Sequence, residues 1–186
     1  GAGPGRGGDQ RLQRVEHRVR LCLVADQSQT PRGEQPHGDA VAACGVDIVK
    51  VGIERAPAAR AVLDVLARCG HPVIPVFIAD RGLDTADVAH ALSLGFAGLM
   101  ADTADKRAGS LFDAVSLPAL AAFVAQARAA RTMVGLAGAL QLADLPRLAG
   151  LAPDFAGFRS AVCAGERSGA LDAARLQRMF AINVFG

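Results

Sequence analysis

Residues 57–79 read PAARAVLDVLARCGHPVIPVFIA, and this stretch decides the fold class. An alanine-rich helical segment fills 57–69, Gly70 follows, and 73–79 is a short apolar run of the kind that forms a strand. The same phrase recurs on both sides. Residues 39–44 lead through Gly45 into 46–51, and 85–94 lead through Gly95 into 96–101. Further on, 117–131 lead into 132–137, 142–151 lead into 155–158, and a helix over 172–180 closes the chain. Glycines at helix ends suit left-handed C-caps. Upstream, 19–25 (VRLCLVA) is the first β-leaning run, and a loop with Pro31, Gly33, Pro36 and Gly38 separates it from the next helix. Residues 1–9 are a Gly-rich, flexible start and 10–18 a short amphipathic helix, so the reading is a start over 1–18 and one domain over 19–186.

Six strands alternating with helices call for a parallel sheet with right-handed crossovers. The strands are apolar runs, as expected where helices and core cover both faces. Two closures remain open: a doubly wound sheet, or a TIM-type (β/α) barrel. No G-x-G-x-x-G follows the first strand, which weakens the dinucleotide-binding version. A barrel has eight strands, so the expectation is an incomplete (β/α) barrel with six of eight βα units. Unpaired edges and exposed apolar inner surface would then favour a homo-oligomer.

Composition narrows the function. The chain has 186 residues, 51% of them hydrophobic and 20% charged, which is globular and enough for one domain. Net charge is +2, and with no Trp or Tyr there are few platforms for stacked bases, so nucleic acid is not an expected partner. The apolar runs are strand-sized, so no membrane span is expected. Cys22, Cys44, Cys69 and Cys163 are scattered without C-x-x-C spacing, and His17, His37, His71 and His90 have no partners at ligand spacing. This excludes a zinc motif and fits a reduced, cytoplasmic protein.

Of the 20 basic residues, only Lys50 and Lys106 are lysines. Arginine replaces lysine on most solvated surfaces but stays protonated, so it neither forms an imine nor acts as a base near neutrality. The two surviving lysines therefore draw attention. Lys50 lies inside a strand, where it either reaches out from the strand end or points inward at a phosphate or carbonyl. Asp102 stands at another strand's last position, with Lys106 in the loop beyond. A carboxylate and an amine converging on a strand end can pair proton transfer with nucleophilic attack on a carbonyl. Asp26 and Asp80 also follow strand ends. The last two strands end in Gly135-Leu136-Ala137-Gly138 and Gly157-Phe158-Arg159-Ser160, where backbone N–H groups and a guanidinium can meet an anion.

The phrases GVDIVKVGI (45–53), GLMADTADKRAGSLFD (98–113), GLAGAL (135–140) and GFRSAVC (157–163) resemble those of the (5-formylfuran-3-yl)methyl phosphate synthase family. The resemblance runs from about residue 19 to the C-terminus. It implies a lyase-type (β/α)8 barrel that needs no metal or organic cofactor. Such an enzyme condenses two molecules of glyceraldehyde 3-phosphate by aldol-like chemistry, with loss of water and one phosphate, in methanofuran-type cofactor biosynthesis. By motif position it implies Lys50, Asp102 and Lys106 as catalytic residues, and Gly135, Ala137, Gly138, Gly157, Arg159 and Ser160 as the phosphate-binding region. Two departures accompany it. The family's Asp-x-Lys at the end of its second strand has no counterpart here, and Ser160 stands where glycine is usual. A non-catalytic triose-phosphate-binding remnant and another class I aldolase-like barrel are the alternatives.

Overall fold

The protein is described by a computed structural model over residues 22–25, 47–164 and 170–181. Its strands are β1 (Cys22–Ala25), β2 (Ile48–Ile53), β3 (Val73–Ile78), β4 (Gly98–Asp102), β5 (Met133–Ala137) and β6 (Phe155–Gly157). All are parallel, and they lie side by side in chain order in one sheet. Between and after them come α1 (Ala59–Ala67), α2 (Thr85–Ser93), α3 (Leu111–Ala114), α4 (Leu117–Ala129), α5 (Leu145–Leu151) and α6 (Ala173–Ala181). Among the described residues the order never reverses, so these six strands contain no switch point of the kind that defines a doubly wound sheet.

Side-chain alternation gives the sheet two distinct faces. Val49, Val51, Ile53, Val73, Phe77, Leu99, Ala101, Val134 and Leu136 belong to a large cluster that also holds Leu63, Val88, Leu120, Phe123 and Leu148 of the helices. The edge of the Phe77 ring meets Phe123 at a centroid distance of 5.9 Å, joining β3 to α4. Each fully buried leucine of this layer contributes roughly 1.5–3 kcal/mol by leaving water. The opposite face carries Ile48, Ile74, Val76, Met100 and Ala137, with Phe155 packed beside them and, among the described residues, no helix residue in the cluster.

This second face is concave. The ammonium of Lys50 on β2 lies over the ring of Phe155 on β6, 5.5 Å from its centroid. Four strand spacings separate those strands, roughly 19 Å in a flat sheet. The two side chains lean toward one another across part of that distance, and curvature of the sheet closes the rest.

Local chemistry explains most boundaries. Asp84 caps α2 by accepting the N–H groups of Ala86 and Asp87. Pro118 and Pro146 open α4 and α5, where a missing N–H costs nothing. Pro75, inside β3, has no N–H to donate, and pairing with β4 begins one residue later at Val76. Several expectations shift. β2 runs on to Ile53, β4 starts at Gly98, and α1 covers only Ala59–Ala67. Gly95 takes the left-handed C-cap conformation at φ 76°, whereas Gly70 does not, and Arg131 and Ala152 adopt positive φ without being glycine. The short α3 was not anticipated. The expected helices over 10–18 and 39–44, the flexible start, Asp26, His17, His37 and Cys44 lie outside the described residues. Among the described residues, no helix is long and apolar enough to cross a membrane.

Candidate functional site

Lys50 sits between Val49 and Val51, both packed against the helices, so its side chain is sent to the concave face. Asp102 follows the helix-facing Ala101 and ends β4 on that same face, opposite Ile78. The Lys50 side chain thus turns away from the helix layer rather than toward it. Phe155 provides its neighbour, and the space for that ring comes from β5. A Cβ at Gly135 would overlap three atoms of the Phe155 ring, the farthest of them 2.7 Å away. Gly135 thus stands within β5 with the ring across its Cα, two residues short of the strand end.

Beyond β4 the chain forms a compact loop around Asp102. The Asp102 carboxylate accepts the N–H of Thr103 at 2.7 Å and pairs through the same oxygen with the ammonium of Lys106. Lys106 also donates to the Thr103 hydroxyl at 3.4 Å. Side-chain exposure is 19% for Lys106 and 22% for Asp102, so the pair is largely withdrawn from water yet reachable from the rim. Thr103 is 3% exposed.

Asp80, in the turn after β3, grips this loop from the side. Its two oxygens accept the N–H groups of Ala104 at 2.9 Å and Asp105 at 3.0 Å. Burial pushes the Asp80 carboxyl upward. The amides of Asp105, Ala104 and Asp80 itself, with the Arg81 guanidinium, outweigh that effect and hold it below its ordinary value.

The loop after β5 closes the other side. Gly138 has φ 121° and its carbonyl accepts the N–H of Leu111 at 2.8 Å. A Cβ there would lie 2.9 Å from the Thr103 hydroxyl and 3.2 Å from its amide nitrogen. Both the backbone angle and the close approach require glycine at this point. Downstream, Ser110 and Asp113 form a capping box that starts α3, which links the β4 loop to the helix layer.

Ala137 and Gly157 are register partners at the ends of β5 and β6. A Cβ at Gly157 would meet that of Ala137 at 3.1 Å, so the floor between these strand ends is kept low by small residues. Arg159 is exposed just past β6, and Ser160 begins a short 3-10 turn. The structure therefore brings Lys50, Asp102, Lys106, Ala137, Gly138 and Gly157 to one concave face and its C-terminal rim. Other residues lie apart: His90 pairs with Asp64 at 2.8 Å in the helix layer, and Cys163 is a buried free thiol. A shallow groove between the starts of α1 and α2 is lined by Arg55, Arg60, Asp84 and Asp87, in which Arg60 binds Asp87 at 2.9 Å. It holds none of the candidate residues, and its charges offset one another.

The sequence alone does not single out Phe155 or Thr103, and it marks Asp80 only as a residue that follows a strand end. An aromatic residue in a short strand reads as core, and contacts across the sheet leave no trace in local spacing. The capping box at Ser110-Leu111-Phe112-Asp113 did have a signal, the S-x-x-D pattern.

Comparison with known proteins adds an independent line. A protein of Methylorubrum extorquens that bears the name (5-formylfuran-3-yl)methyl phosphate synthase provisionally is 41% identical over 137 residues, 73% of this chain and 58% of its own length. The (5-formylfuran-3-yl)methyl phosphate synthase of Methanopyrus kandleri is 32% identical over 138 residues, 66% of this chain and 58% of its own. That of Archaeoglobus fulgidus is 43% identical over 70 residues, 38% of this chain and 30% of its own. The chain thus spans at most 58% of the length of these relatives. The family profile described as 4-HFC-P synthase matches residues 16–180, most of the chain, and with it the strands, the concave face and both lysines. This chain belongs to the 4-HFC-P synthase family.

Proposed function

We propose that the chain contributes the C-terminal part of a (β/α)8 barrel that condenses two molecules of glyceraldehyde 3-phosphate into (5-formylfuran-3-yl)methyl phosphate, a step toward methanofuran-type cofactors. The barrel reading is supported by the unreversed strand order, by helices packed on one face, and by the curvature that lets a side chain of β2 meet one of β6. The observation that carries the function is that Lys50, within β2, and the Asp102–Lys106 pair, at the end of β4, share one face of the sheet.

The chemistry follows from those groups. A lysine amine adds to a triose carbonyl, and loss of water leaves an imine. The imine withdraws electrons, so a base removes the adjacent proton, and the resulting enamine attacks the aldehyde of a second triose. Water then releases the amine, and elimination of phosphate and water builds the furan. Asp102 is at hydrogen-bond distance from Lys106 and can relay protons between carbon, hydroxyl and amine. The lysine not bound in the imine steadies a phosphate or a departing oxygen. Gly135, Ala137, Gly138, Gly157, Arg159 and Ser160 form the phosphate-binding region, with Gly135 making room for Phe155 and the rest lying at the ends of β5 and β6.

Carbon-labelled glyceraldehyde 3-phosphate tests the proposal. The expected product is a furan aldehyde phosphate whose carbons all carry label, formed with release of inorganic phosphate. Binding of the triose phosphate without such a product would instead identify a non-catalytic phosphosugar-binding chain.

A further inference from the structure

We propose that Asp80 is a positioning residue that sets Lys106 on Asp102 by gripping the backbone of the intervening loop. The proposal rests on the reading of Lys106 as a site residue. Lys106 is reached from β4 through Thr103, Ala104 and Asp105, and this short segment has to fold back for the ammonium to meet the Asp102 carboxylate. Two of its amides, those of Ala104 and Asp105, point at one carboxylate on the neighbouring strand-end turn, at 2.9 and 3.0 Å. A carboxylate accepts two N–H groups at once because each of its oxygens carries free lone pairs. Bonds to an ionised acceptor are also stronger than those between neutral groups.

The anchor itself is firm. Asp80 lies in a 3-10 turn directly after β3, whose last residue, Ile78, is register partner of Asp102. The carboxylate that holds the loop and the carboxylate that holds the lysine therefore start from adjacent, paired strand ends. Asp102 secures only the first loop amide, that of Thr103, and Asp105 turns inward on the loop to accept the amide of Arg107. The amides of Ala104 and Asp105 have Asp80 as their acceptor. Without it they turn to water, the loop opens, and Lys106 loses its fixed place beside Asp102. The amide hydrogen bonds that keep the Asp80 carboxyl below its ordinary value are these same two contacts, joined by its own amide.

Competitive acylation at limiting reagent, mapped by mass spectrometry, measures the test because the chain has two lysines and each calibrates the other. General loosening of the fold exposes both, whereas loss of the grip acts on Lys106 alone. In Asp80→Asn, which is close to isosteric, and in Asp80→Ala, the Lys106 to Lys50 labelling ratio should rise roughly two- to fivefold, the range expected for freeing an ion pair. Asp80→Glu, which restores the charge, should bring the ratio part of the way back. An unchanged ratio in folded variants overturns the proposal. Hydrogen exchange on the unaltered protein decides the matter even where variants fold poorly: the Ala104 and Asp105 amides should be protected, and exchange at open-loop rates would refute the grip. Trapping with triose phosphate and borohydride on the same samples keeps the two readings apart. Failure of the parent protein to trap counts against the imine chemistry, while the labelling ratio still decides the role of Asp80.

Discussion

Substituting Gly135 with alanine should destabilise the protein by a steric route that trimming Phe155 reverses. The added Cβ would overlap Cζ and both Cε atoms of the ring, the farthest at 2.7 Å, whereas carbon atoms pack at roughly 3.5–4 Å. Spinning the ring about its own axis leaves Cζ in place, so the clash is relieved only by a change in χ1 or a backbone shift. Such overpacking costs about 1–3 kcal/mol. Moving the ring also removes the Lys50 contact, worth about 0.5–2 kcal/mol. Gly135→Ala alone should therefore cost about 1.5–5 kcal/mol. Phe155→Ala should cost about 2 kcal/mol, less than the ~3–5 of a fully buried ring, because Phe155 is only half-buried. In the double variant the new methyl occupies space the ring has left, giving a favourable coupling of about 1–3 kcal/mol. Urea denaturation of the four proteins measures this, a coupling of ~2 kcal/mol shifting the midpoint by about 1 M at an m-value of ~2 kcal/mol/M. Additivity within ~0.5 kcal/mol would refute the packing argument, and with it the account of how β5 accommodates β6.

Three further outcomes are expected. Gly138→Ala should cost roughly 2–5 kcal/mol, combining a strained φ with overlap against Thr103, and adding Thr103→Ala should recover only the steric share in denaturation. Asp102→Asn should change stability by about 1 kcal/mol or less but lower turnover by about 10²–10⁴-fold, as seen by product formation at saturating triose phosphate. Asp80 and Asp84 both titrate below their ordinary values, Asp84 through the amides of Asp87 and Ala86. Their stabilisation is therefore complete above the ordinary carboxylate value of 3.8 and is lost as pH falls through the lower folded-state values. Acid titration followed by circular dichroism should show this loss, moved toward neutrality in Asp84→Ala.

The alternation of helix and strand was legible because alanine-rich helical stretches end in turn-formers, as at Gly70 and Gly95, just before short apolar runs, and because strands covered on both sides carry few polar residues. Lys50 was legible for the complementary reason: an ammonium among β-branched residues needs a polar or aromatic neighbour, and a chain that otherwise uses arginine marks it out. What filled that need was not legible. Phe155 reaches Lys50 only because the sheet curves, and Gly135 makes room for the ring from a strand of its own. The hold of Asp80 on the β4 loop was hidden too, since it joins a side chain to backbone 24 and 25 residues away, where local pattern carries no information. The helix Leu111–Ala114 is too short for periodicity and exists through its Ser110–Asp113 cap.

The central claim is that the lysines of the concave face do carbonyl chemistry. Incubation with glyceraldehyde 3-phosphate or dihydroxyacetone phosphate, reduction with borohydride and peptide mapping tests it directly. The account predicts a triose phosphate adduct on Lys50 or Lys106, abolished when that lysine becomes arginine. A protein whose fold is intact by circular dichroism and whose two lysines remain unmodified would contradict it.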